Sequence, residues 1–171
     1  YTIYGWFFKK FFYRGEMMLN LFKSKKYIGL HAPVNGDIIA LKDLLDTKKI
    51  GDGIAFRFDG NLIYSPCHAF VSMLSKNNHA IKLTMENGIE ILIEVGLDAE
   101  KLSGTGIDVF VKVGQNVKAG DPLLQIDRQF FVSQGVELII PMIVMKSQNY
   151  QLKIKMSGQA SVLGEYVVIF K

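Results

Sequence analysis

Two side chains have the right types to handle a charged or transferable group: the imidazole of His79 and the carboxylate of Glu94. Glu94 ends the run Gly88-Ile89-Glu90-Ile91-Leu92-Ile93-Glu94, where Glu90, Leu92 and Glu94 alternate with isoleucines. On a strand, successive side chains point to opposite faces, so those three share one face and the isoleucines the other. A carboxylate there could accept a phosphoryl group as an acyl phosphate, or act as a fixed negative charge. As a metal site His79 and Glu94 are a weak pair, because two ligands fall short of the three that catalytic zinc usually takes.

Other reactive types are harder to combine. Cys67 stands beside His68, yet neighbours on a regular strand face opposite ways, so one is expected inside and one outside. His31, before Ala32-Pro33, belongs at a strand edge. Gly51-Asp52-Gly53 lacks the downstream Gly-Lys-Ser/Thr of a phosphate-binding loop and reads as a tight turn. With one cysteine, neither an internal disulfide nor a thiolate zinc cluster can form, which agrees with a reducing cytosol.

The elements that must hold these groups are short strands. Apolar runs bounded by Gly, Asn, Asp and Pro predict strands at 28–32, 36–41, 54–58, 62–65, 69–74, 79–84, 89–94, 107–111, 123–127, 138–145, 150–156 and 166–170. One helical turn is expected within Lys42–Lys49, and a short helix or loop within Asp127–Val136. No βαβ alternation occurs, so a doubly wound nucleotide fold is excluded and an antiparallel sandwich or barrel is expected. The segments Gly114–Leu123 and Ser157–Tyr166 look alike, each with a valine midway between tight turns, and both suit hairpin corners. The apolar residues Ile50, Ile54, Leu92, Ile93, Val95 and Leu97 suit either core packing or a docking rim, and periodicity does not separate the two.

Length and charge narrow the function classes. The 171 residues fit one domain at 28–171 with an N-terminal appendage at 1–27. The net charge of +4 is uneven: residues 1–30 hold six Lys/Arg against Glu16 alone, whereas 31–171 hold fourteen against fifteen Asp/Glu. The body therefore offers no basic surface for nucleic acid. Apolar runs fall well short of the roughly 18–20 residues of a membrane helix. The aromatic, cationic stretch at 1–26 could associate peripherally with an anionic membrane. Met17-Met18 also reads as a natural start, with residues 1–16 as translated upstream sequence.

Five landmarks come in order: Ala32-Pro33-Val34-Asn35-Gly36, Gly51-Asp52-Gly53-Ile54-Ala55, Asn77-Asn78-His79-Ala80, Gly88 to Asp98, and Gly114 to Leu123. From residue 28 to the C-terminus the chain resembles the glucose-class IIA proteins of the bacterial sugar phosphotransferase system. The resemblance implies an all-β fold, the antiparallel sandwich of glucose-permease IIA built on a duplicated hybrid motif. It also implies a cytoplasmic phosphocarrier without a cofactor, whose partners are the histidine phosphocarrier HPr and IIB/IIC permease domains. In that family two histidines face each other on neighbouring strands; one carries the phosphoryl group and the other donates a hydrogen bond to it. The donor matches His79, and the acceptor position holds Glu94. Asn77 stands where a threonine is usual, and Asp98 keeps an acidic position, although Ala99 replaces the threonine that often follows. Ser65-Pro66-Cys67-His68-Ala69 replaces an expected Ala-Pro-Val-Asp-Gly hairpin.

This resemblance leaves three readings of the site. An acyl phosphate on Glu94 would need an oxygen where the family places a ring nitrogen. A permanently charged Glu94 would imitate the phosphorylated state in part, with one negative charge against nearly two. A non-catalytic relative would bind a protein partner through the same face. A biotinyl- or lipoyl-type carrier is a separate class, with Lys146 in Met145-Lys146-Ser147 as the nearest candidate for modification.

Overall fold

The computed structural model describes residues 27–44 and 51–171. Among them the chain forms β1 (Ile28–Leu30), β2 (Gly36–Ala40), β3 (Asp52–Phe58), β4 (Leu62–Tyr64), β5 (Ala69–Leu74), β6 (Ala80–Thr84) and β7 (Glu90–Glu94). There follow β8 (Ile107–Val109), β9 (Asn116–Val117), β10 (Pro122–Ile126), β11 (Ile139–Lys146), β12 (Leu152–Ile154), β13 (Gln159–Ala160) and β14 (Val168–Phe170). One short helix, α1 (Arg128–Ser133), and single 3-10 turns at Leu41–Asp43 and Ala99–Leu102 complete the regular structure.

Every strand pairing is antiparallel. The largest sheet has the order β13-β2-β3-β11-β7-β6-β5-β9, and two three-stranded sheets, β1-β14-β12 and β4-β10-β8, accompany it. The large sheet divides at β11 and β7 into two halves of like plan: a hairpin (β2-β3 or β5-β6) is flanked by one long partner and one two-residue edge strand. Such short edges leave little unpaired backbone for another chain to add to.

Strand alternation explains which face is buried. In β7, Ile91 and Ile93 are fully buried while Glu90, Leu92 and Glu94 are half-exposed. Across the ladder, Ile81 pairs with Ile93 and Leu83 with Ile91, and both partners are likewise sealed. These side chains join Phe56, Phe131, Ile63 and Leu123 in one core. Each such side chain contributes roughly 1.5–3 kcal/mol by leaving water. A second, smaller apolar cluster of Leu41, Ala55, Ile139 and Ile143 packs with the partly buried Ile39, Leu44, Leu92 and Leu97.

The all-β class and all the expected strands are present, most with shifted ends. The two expected hairpin corners need correction, because each contains a strand. Asn116–Val117 pairs with β5 through Ala69↔Val117 and Phe70↔Asn116, and Gln159–Ala160 pairs with β2 through Gln159↔Asp37 and Ala160↔Gly36. The helical turn expected in Lys42–Lys49 is a 3-10 turn at Leu41–Asp43, and residues 45–50 of that expectation lie outside the described residues. Residues 1–26, with the upstream-sequence and membrane readings, also lie outside them. At α1, the Asp127 carboxylate accepts from the Phe130 N–H at 3.0 Å and caps the helix.

Candidate functional site

His79 and Glu94 are brought together by the β6-β7 ladder. Ala80 lies opposite Glu94, and the Val95 N–H donates to the His79 carbonyl at 2.8 Å. His79 itself precedes β6, at the end of a four-residue turn that closes the β5-β6 hairpin. There the Asn78 N–H donates to the Ser75 carbonyl at 2.9 Å, and Asn78 takes φ 56, a left-handed value that asparagine tolerates. The Ser75 N–H donates to the Ala80 carbonyl at 2.9 Å, and the Ala80 N–H returns a bond to Ser75 Oγ at 3.0 Å. Released from strand alternation, His79 is half-exposed although Ile81, two residues on, is fully buried.

Ser75 is the site residue that the sequence reading missed. Its Oγ lies 3.3 Å from His79 Nδ1, so the hydroxyl, four positions upstream, grips the ring. Asn77, the residue expected to support the histidine, is half-buried in the same turn, and its backbone carbonyl lies against Gly104. A Ser-x-x-x-His spacing across an Asn-Asn turn was the available signal, since Ser hydroxyls commonly bond within turns.

Electrostatics couple the pair. Burial pushes the Glu94 carboxyl above the ordinary glutamate range. The nearby His79 imidazole pulls it partly back, and the negative Glu100 raises it further. Along the same face, Lys82 Nζ pairs with Glu90 Oε2 at 3.2 Å, and Thr84 Oγ1 donates to Ser72 Oγ at 2.9 Å. Glu90 is therefore already paired, whereas Glu94 lies near enough to the imidazole for their charges to interact.

Asp98 follows a different course. The chain turns at Gly96 (φ 69), and Asp98 itself has φ 65. Its carboxylate meets Lys101 Nζ at 2.9 Å with both side chains 67% exposed. The structure gives this residue a solvent-facing ion pair rather than a contact with His79 or Glu94. Tertiary packing also sorts the apolar neighbours. Ile54, Ile93 and Val95 are fully buried in the main core, whereas Leu92 and Leu97 are half-exposed and pack against the second cluster beside Leu41 and Ile143. Ile50 lies outside the described residues.

The remaining candidates have structural partners. His31 Nδ1 lies 2.7 Å from the Gly164 carbonyl, and its ring sits 4.6 Å from that of Tyr166. His68 is exposed and its Nδ1 accepts from the Ala119 N–H at 3.1 Å, while Cys67 is buried with its thiol pushed up to about 12 by desolvation. Lys146 is exposed at the end of β11, opposite Glu90 across a register shift. A polar hollow of about 730 Å³ lies among Asp59, Asn61, Asp108, Gln125, Asp127 and Arg128. It holds neither a histidine nor the Glu94 carboxylate, and Arg128 is engaged by the Phe58 carbonyl at 2.8 Å. Among the described residues no three His, Cys, Asp or Glu side chains are grouped so as to hold a metal ion. Nor is any described helix long and apolar enough to cross a membrane.

Comparison with known proteins agrees with this geometry. Residues 28–150 match the family model for the phosphoenolpyruvate-dependent sugar phosphotransferase system, EIIA 1. The chain is 33% identical over 154 residues to the glucose-specific EIIA component of Buchnera aphidicola, covering 88% of this chain and 94% of that protein. It is 36% identical over 127 residues to the glucose-specific EIIBCA component of Corynebacterium glutamicum, covering 72% of this chain but only 19% of that longer protein. The chain thus spans about a fifth of the multidomain relatives it matches. The solved structure of glucose permease IIA from Mycoplasma capricolum superimposes with a TM-score of 0.74 at 28% identity, over 85% of this chain and 96% of that one. An antiparallel sheet of this order, a histidine tied through its carbonyl to the end of the next strand, and a family match across most of the described residues lead to one assignment: the chain belongs to the EIIA type 1, glucose-class, family of the phosphotransferase system.

Proposed function

We propose that this domain serves sugar uptake as a IIA component that docks HPr and a IIB domain at the outer face of β6 and β7, with a carboxylate where its family carries phosphate. The observation that carries this reading is the His79–Glu94 pair, joined across adjacent strands and bordered by the exposed edges of Leu92 and Leu97. Partly exposed apolar side chains beside a polar pair give the mixed apolar and polar surface that protein interfaces use. The relatives named EIIBCA carry B and C portions in one chain with the IIA-like part, which supports a IIB domain as the downstream partner.

Glu94 changes the chemistry at that centre. Relay through imidazole depends on a ring nitrogen that is nucleophilic near neutral pH and aligned in-line with the donor. A glutamate oxygen has another reach and another leaving group, so the domain binds its partners without passing phosphate through Glu94. The acidic Asp98 has no part in this step, being drawn out to Lys101.

The test is incubation with phosphoenolpyruvate, enzyme I and HPr, followed by intact-mass measurement, alongside a direct titration with HPr. The expected outcome is HPr binding without gain of a phosphate. A hydroxylamine-labile phosphate that disappears in Glu94→Gln would overturn the loss of relay. An acid-labile phosphate that disappears in His79→Ala would move the relay to His79. Absence of HPr binding would end the docking proposal.

A further inference from the structure

Acidic residues are missing from three stretches of the chain, and the fold lays strands from all three side by side. None of 17–36, 138–164 and 166–171 contains Asp or Glu, and Glu165 is the one acid between the last two. β1, β12 and β14 come from these stretches and make up the sheet β1-β14-β12. The near-balance of charge over residues 31–171 conceals this local excess of lysine.

Register assigns the two faces of that sheet. Ile28, Phe170 and Leu152 stand in one row and Leu30, Val168 and Ile154 in another, and all six pack into the main core. Alternation turns the residues between them outward. Gly29, Ile169 and Lys153 form one outer row, and Lys171 with Gln151, joined by two backbone bonds of 3.0 Å, begins the next. Tyr27 follows the same alternation two residues before Gly29 and is 49% exposed. The ring of Tyr166 covers Gly29, since a Cβ added there would collide with it. Lys153 and Lys171 are exposed, and neither meets a carboxylate side chain among the described residues. Lys155, beside them, pairs with the exposed Glu165 at 3.7 Å.

We propose that the outer face of the β1-β14-β12 sheet docks the domain on an anionic lipid bilayer, with Lys153 and Lys171 against headgroup phosphates and Tyr27, Tyr166 and Ile169 in the interface. Lysine charge without neighbouring acid repels a second copy of the same face and is drawn to an anionic surface. Tyrosine rings and a half-exposed isoleucine suit headgroup depth, where the rings keep their hydroxyls in water and long lysine stems carry their charges outward. The sequence leading into Tyr27 continues this chemistry, with Lys23, Lys25 and Lys26 following an aromatic run. Nucleic acid is the poorer match, because arginine, whose planar fork fits phosphate, is absent from both 17–36 and 138–171. β6 and β7, which position His79 and Glu94, belong to the eight-stranded sheet, so the lipid contact uses none of the candidate-site residues.

The test uses the full chain and vesicles of phosphatidylcholine with or without phosphatidylglycerol. An environment-sensitive fluorophore is placed on Gln151→Cys, within the face, or on Lys112→Cys, in the exposed loop before β9; Cys67 is buried and stays unlabelled. Vesicles containing phosphatidylglycerol should shift the label at 151 to the blue and leave the label at 112 unchanged, and added salt should reverse the shift. In co-sedimentation, Lys153→Gln and Lys171→Gln should each weaken binding roughly fivefold. An unmoved label at 151, or equal shifts at 151 and 112, overturns the proposal, since contact through residues 1–26 alone would not bring this face to the lipid. Undiminished binding in the two lysine variants also overturns it, as does tighter binding to a DNA duplex than to the anionic vesicles. Both lysines are exposed, so their variants are expected to fold, and the two labels decide the outcome without them. HPr binding is read on other residues, so either proposal can fail alone.

Discussion

Gly104 lies outside the β5-β6 turn yet bears directly on where His79 is held. It has φ +87, and a Cβ built there would come 3.0 Å from the Asn77 carbonyl oxygen and 3.4 Å from the carbonyl carbon. Asn77 sits two residues before His79, inside the turn closed by Ser75, so an added methyl presses on backbone rather than on a yielding side chain. Gly114 supplies an internal reference: its φ is +86, and a Cβ there meets nothing within 4 Å. Alanine at either position carries the same left-handed strain, roughly 1–2 kcal/mol. In both, the stiffer unfolded chain offsets roughly 0.4–1 kcal/mol of that. Gly114→Ala should therefore cost no more than about 1.6 kcal/mol. Gly104→Ala adds overpacking of roughly 1–3 kcal/mol. Each kcal/mol corresponds to about 2–4 °C of Tm in a domain of this size. Urea unfolding of both variants gives the stability difference, and amide and imidazole resonances of His79 and Ala80 report the displacement. The expected result is a larger loss in Gly104→Ala together with shifted His79 signals in that variant alone. Equal losses with His79 unmoved in both would refute the idea that the segment around Gly104 buttresses the histidine turn.

Glu94 makes stability fall as pH rises. Burial raises its folded-state pKa, so it adds no penalty below the ordinary glutamate value of about 4.3. The penalty grows as pH climbs from there through the raised folded-state value and stays constant above it. Glu94→Gln should match wild type in acid and exceed it at neutral pH, in urea midpoints taken across that range; a stability difference that does not change with pH would disprove this. Cys67 should resist alkylation in the native state, because its thiol is buried and pushed up to about 12. Labelling by iodoacetamide should follow unfolding, and native-state labelling at the rate of a free thiol would contradict the assignment.

The parts of this protein legible from its residues are those set by neighbours along the chain. Alternation placed Glu90, Leu92 and Glu94 on one face of β7 and the isoleucines on the other, as the burial of Ile91 and Ile93 confirms. Gly88, Gly114 and Gly120 marked turns, and all three have positive φ. Five ordered landmarks carried the family resemblance, and with it the opposed positions of His79 and Glu94. Contacts between distant segments escaped that reading. Two-residue strands such as β9 and β13 have no local signature, because only pairing with β5 and β2 makes them strands. That Leu92 is half-exposed against the second cluster while Ile93 is sealed in the main core depends on which face Leu41 and Ile143 cover. Asp98 takes a left-handed backbone and meets Lys101, a pairing that its spacing from Glu94 does not foretell. Ser75 met the ring in place of Asn77 because a folded turn brings residues four apart into contact while sending those between them elsewhere. Local rules act through one or two bonds of backbone, whereas the direction of a site side chain depends on ladder register and turn closure, which exist only once the strands have come together.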